Sequence, residues 1–116
     1  MSMKILPFQD EMARLDNFAL QLQSQPRARG FVIVYAGKKA LVAEAKTRAT
    51  RAKSYLVKIR GVNPARVVAI DGGYRESFLV QLFIGDLDVE PPTPTPTLDA
   101  SQVEIIRNTH PQKKPR

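Results

Sequence analysis

Between Phe31 and Ile84 the chain runs through an apolar strand-like segment, one long periodic basic segment and two further apolar runs, an order that leaves few folds available. FVIVYAG (31–37) is a continuous β-branched and aromatic run opened by Gly30 and closed by Gly37, the pattern of a central strand covered on both faces. From about Ala40 to Arg60, residues Val42, Ala45, Ala49, Ala52, Leu56 and Ile59 recur in steps of three and four, which predicts an amphipathic helix. Three alanines in that stripe allow close approach to a sheet. Gly61 follows basic Lys58 and Arg60 and reads as a left-handed helix stop. Asn63-Pro64 opens a short turn, Val67 to Ile70 a second strand, Asp71-Gly72-Gly73 a turn, and Ser77 to Ile84 a third strand. In that third strand Phe78, Val80, Leu82 and Ile84 share one face, and Leu79, Gln81 and Phe83 the other. Only Gln81 is polar, so the strand is expected to be largely covered.

Upstream, Met12, Leu15, Phe18, Ala19 and Leu22 place a helix over about Asp10–Gln25, with Asp10 and Glu11 suited to its positive end and Pro26 just beyond it. Met3 to Phe8 fits a short leading strand cut by Pro7. The fold class expected is α+β, or a split βαβ unit. Two helices would pack on a mixed sheet of three or four strands spanning residues 1–88. Residues 89–116 read as a tail: PPTPTPT (91–97) favours extended polyproline II, and His110 to Arg116 is basic and Pro-containing. Val103, Ile105 and Ile106 suit a short docked strand near 102–107.

The charge is concentrated. Between Lys38 and Arg60 stand eight basic residues and one acid, Glu44, which accounts for the whole formal charge of +7 because the remaining charges cancel. A pI near 10.1 points to anionic partners, whether nucleic acid, acidic lipid or another anionic polymer. Lys38, Lys39, Arg48 and Arg51 are the candidate anion-binding residues, the two lysines lying at the helix's positive end. The same residues would equally make a solvated outer face. Most aromatics sit inside apolar runs; Tyr74 and Tyr55 alone look free for base stacking.

No enzymatic chemistry is visible. The absence of cysteine excludes disulfides, thiolate zinc sites and thiol catalysis. No His, Cys or carboxylate cluster has metal-ligand spacing, and no cofactor is expected. Gly37-Lys38-Lys39 lacks the rest of a phosphate loop. His110, the one histidine, lies in the tail, and Asp71, which with Glu76 flanks the GGYR turn, is better explained as a turn former than as half of an acid/base pair. No apolar run reaches the ~20 residues that span a bilayer, and MSMKILPFQDE lacks the pattern of a signal peptide. A cytoplasmic protein, or one exported with a leader not present in this sequence, is expected accordingly.

ARLDNFALQLQSQPRARGFVIVYAG followed by TRATRAKSYLVKIRGVNPARVVAIDGGYRE resembles the OmpA-like C-terminal domain family. Leu15-Asp16, Phe31–Gly37, Arg48-Ala49 with Tyr55-Leu56, Gly61-Val62, Arg66-Val67 and Gly72–Glu76 carry the resemblance, over about residues 12 to 85. It implies a βαβαββ two-layer sandwich in a non-enzymatic bacterial envelope protein, periplasmic or secreted, that holds peptidoglycan. In that family an Asp in the strand-to-helix loop and an Arg on the following helix grip diaminopimelate. The Arg is matched by Arg48, or by Arg51 one turn on. The Asp has no counterpart: Gly37-Lys38-Lys39 stands there with the opposite charge. The resemblance therefore implies the fold and an envelope location but does not carry over the ligand; the basic surface makes peptidoglycan or another anionic envelope polymer the expected partner. The alternative is an intracellular nucleic-acid-binding module using the same helix and the basic KKPR end.

Overall fold

A computed structural model describes residues 8–107. The first helix, α1 (Phe8–Gln23), buries Leu15, Phe18, Ala19 and Leu22, the stripe its periodicity marks out. Strand β1 (Ala28–Ala36) follows and lies at the centre of a three-stranded sheet ordered β3-β1-β4. It pairs parallel with β3 (Val67–Tyr74) and antiparallel with β4 (Leu79–Asp86). A second, two-stranded parallel sheet joins β2 (Lys39–Leu41) to β5 (Glu104–Ile106). The second helix, α2 (Glu44–Ser54), continues into a π-helical turn, Tyr55–Ile59. The result is an α+β arrangement in two layers. Val32, Val34 and Ala36 of β1 face the helices and meet Phe18, Leu22, Ala45, Ala49, Ala52 and Leu56 in one core.

Four expectations change. The predicted helix from Ala40 loses its first turn to β2, because Ala43 takes a left-handed conformation (φ 57°) and the Leu41 amide donates to the Glu44 carboxylate at 3.0 Å. Val42 thereby leaves the buried stripe. Ile59 also leaves it, because the wide π turn rotates it out to solvent.

Asp71-Gly72-Gly73 is not a chain reversal but the end of β3. Val34 pairs with Asp71 and Tyr35 with Gly73, so Gly72 is the extra residue of a bulge. A Cβ on Gly72 would lie 2.6 Å from the Tyr35 ring, and Gly73 has φ +95°, so both positions need glycine. The reversal falls at Arg75–Phe78, which delays the next strand to Leu79. Finally, β4 is an edge strand, half-buried rather than covered, with Phe83 exposed.

Two local signals hold as read. Gly61 is left-handed (φ 74°) after the helix, and Asn63 Oδ1 accepts from the Ala65 amide at 2.8 Å in an Asx-type turn. The expected leading strand falls on Met3–Pro7, outside the described residues, while Phe8 opens α1. The basic end of the chain also lies outside them.

Phe31, Ile33 and Tyr35 point to the sheet face away from the helices, yet all three are fully buried. Their cover is the segment Leu87–Leu98, which contains the Pro/Thr run. Arg29 lies 5.2 Å over the Phe31 ring and donates to the Val89 carbonyl at 2.6 Å. At the other end the Thr95 amide donates to the Tyr35 hydroxyl at 3.0 Å, and the amides of Thr97 and Leu98 donate to the Tyr74 carbonyl. The Pro/Thr run carries no regular secondary structure, but it is strapped across β1.

Candidate anion-binding face

The buried stripe of α1 continues one turn upstream of Leu15 to Glu11, which is buried. A carboxylate there requires a cation. Arg48 of α2 supplies it at 2.8 Å, and Arg51, one turn on, reaches the same oxygen at 3.0 Å. The side chains of Glu11 and Arg48 are 5% and 11% exposed, so this pair is internal. The Arg48 guanidinium also lies 4.5 Å over the Phe78 ring and 4.0 Å from Glu44. Glu11 Oε2 and Arg48 Nε remain without protein partners. Two cations and two carboxylates thus form a neutral knot tying α1 to α2.

The four cations singled out from the sequence are consequently not equivalent. Arg48 is committed to the knot. Arg51 takes part in it but keeps a side chain 42% exposed. Lys38 follows β1 and meets Glu76 across solvent at 3.8 Å, both side chains being about two-thirds exposed. Lys39 is exposed on β2, in register with Glu104 of β5. The outward face of α2 and its π-helical continuation instead presents Lys46, Arg51 and Lys58, with no acid between Ala45 and Arg60.

From the sequence Glu11 reads as a helix-dipole charge, and only the fold shows it buried. Its spacing of four from Leu15 and seven from Phe18 was the available signal: a charge on the apolar face needs a partner.

A second polar cluster lies where the π turn meets α1. The Tyr55 hydroxyl donates to Asp16 at 2.6 Å, and Arg60 Nε donates to the same oxygen at 2.8 Å. The Tyr55 hydroxyl hydrogen bond, followed by the Asp16 charge, raises the Arg60 guanidinium above its ordinary value. Tyr55 is therefore engaged, and Tyr74 is half-buried against the core, so neither tyrosine is the free stacking platform expected. Asp71 accepts from the Gly73 amide at 3.0 Å across the bulge in β3.

Among the described residues no group of three His, Asp or Glu side chains converges as metal ligands would, and no helix is long and apolar enough to cross a membrane. Compared with protein-family models, with curated proteins and with solved structures, the chain matches none.

Proposed function

We propose that this chain is a non-enzymatic binding domain of the bacterial cell envelope that holds an anionic polymer on the outer face of α2. The observation that carries the reading is the division of labour along that helix. Arg48, on its inner flank, is consumed by Glu11, which Arg51 also reaches, while Lys46 and Lys58 stand exposed with no acid between Ala45 and Arg60. Exposed cations distributed around one helix attract polyanions through diffuse charge rather than a shaped pocket. The resemblance over residues 12 to 85 supports the envelope setting. The absent loop Asp and the buried Arg48 argue for a ligand other than the diaminopimelate gripped by that family.

The test is co-sedimentation of the full chain with insoluble peptidoglycan sacculi across a salt series. Retention at low salt that falls as salt rises, and that drops by about tenfold in K46E/K58E, is the expected outcome. Retention indifferent to both salt and that double variant would place binding elsewhere. A parallel titration with duplex DNA separates the intracellular alternative, because tighter binding there with a steep salt slope would favour it.

A further inference from the structure

We infer that the outer edge of β4 is a self-association surface and that its partner is a second copy of this chain. Strand β4 is eight residues long, and among the described residues nothing pairs with its side away from β1. No charged residue or proline lies between Leu79 and Gly85, so the edge lacks the usual protection against pairing. Its one guard is Arg14, which donates to the Val80 carbonyl at 3.4 Å, a long contact. That contact also shows which backbone groups face outward. In an antiparallel ladder alternate residues face the same side, so Val80, Leu82 and Ile84 share the direction of the Val80 carbonyl.

A groove of about 530 Å³ runs beside this edge beneath α1, floored by Phe18, Leu82 and Ile84 and walled by Asn17, Gln21 and Gln25. On the opposite face of the sheet Phe83, Leu87 and Val89 are each more than two-fifths exposed.

Symmetry and charge select a second copy. Antiparallel pairing about a twofold axis at Leu82 sets Val80 opposite Ile84 of the second copy, and Leu82 opposite Leu82. All three outward residues are then used twice, in a self-complementary contact. The same register carries Arg14, which guards Val80, toward Asp86 at the far end of the other strand, once at each end. The basic helix α2 packs over β3 and β1, toward the opposite edge of the sheet from β4, so the excess charge stands away from the contact. The result is one continuous six-stranded sheet.

The test is sedimentation velocity of the full chain over a wide concentration range, with amide hydrogen exchange at low and high concentration. A monomer–dimer equilibrium is expected, with the Val80, Leu82 and Ile84 amides slowed only in the dimer. L82K sets two like charges face to face and should weaken association by about tenfold or more. F83K, exposed and opposite Gln81 of the second copy in this register, puts the two lysines diagonally across the seam and should also weaken association, with less risk to folding. Circular dichroism establishes that each variant is folded. A chain that stays monomeric, or a dimer that persists in folded L82K and F83K, overturns the proposal. So do edge amides that are already slow in the monomer, because another part of the chain would then cover the edge.

Discussion

Glu11 shows how one side chain can decide the role of another on a neighbouring helix. Its carboxylate lies in the apolar stripe of α1, and the Arg48 guanidinium that neutralises it is held between that oxygen and the Phe78 ring. Removing one partner of a buried pair leaves the other charge without compensation, which costs more than the pair contributes. Glu11→Ala should therefore destabilise the chain by about 3 kcal/mol. E11A/R48M, which removes both charges, should recover most of that loss. Urea denaturation of the three proteins decides it, and a single-variant loss below about 1 kcal/mol would show that Arg48 finds water or Glu44 instead. The same residue explains why the strongest sequence candidate for ligand contact is unavailable as a ligand.

At the scale of elements, the strap Leu87–Leu98 and strand β1 are held together through Tyr35. Its hydroxyl donates to Gln81 at 3.2 Å and accepts from the Thr95 amide, while Arg75 lies 4.4 Å over its ring and donates to the Thr95 hydroxyl. Burial by itself raises the Tyr35 phenol. The Thr95 side-chain and amide hydrogen bonds, with the Arg75 charge, outweigh it and leave the group below its ordinary 10.0. A folded-state value below the unfolded one means that the unfolded chain holds the proton longer as pH rises. This group therefore adds stability as pH climbs through its folded value toward 10.0, and adds none at lower pH. Tyr35→Phe should cost about 1–3 kcal/mol at neutral pH through the lost hydroxyl contacts. It should also abolish that alkaline gain. Thermal melts of both proteins from neutral pH to 10.0 measure the two effects together, and parallel curves would show that the phenol does not ionise in the fold.

The whole molecule separates its surfaces. Its basic helix lies toward one edge of the sheet, an edge strand without charge from Leu79 to Gly85 lies at the other, and the strap closes the face that no helix reaches. The closure has a consequence for truncation. Phe31, Ile33 and Tyr35 have lost all contact with solvent, and each buried side chain of this size contributes about 1.5–3 kcal/mol. A chain ending at Asp86 should therefore lose several kcal/mol. It should expose an apolar surface that binds a hydrophobic dye and aggregates. A truncated chain with an unchanged melting temperature and no dye binding would show that the strap is dispensable.

The local code was legible wherever neighbouring residues decide the conformation. The apolar spacing of Leu15, Phe18 and Leu22, the unbroken run Phe31–Ala36, the glycine stop at Gly61 and the Asx turn at Asn63 all follow from side-chain size, periodicity or backbone freedom within a few residues. Contacts between distant residues decided the rest. Asp71-Gly72-Gly73 has the composition of a turn, but the Tyr35 ring uses the missing Cβ of Gly72, so the segment stays extended in β3. Lys39–Leu41 continues a helical pattern, but pairing with Glu104–Ile106, more than sixty residues away, makes it a strand. Proline and threonine alone determine that residues 91–97 stay outside helix and ladder; their docking on Tyr35 rather than in solvent depends on a hydroxyl sixty residues earlier. Composition likewise determined that α2 is basic, whereas tertiary structure decided which cations remain exposed, because neutralising Arg48 required a carboxylate from another helix.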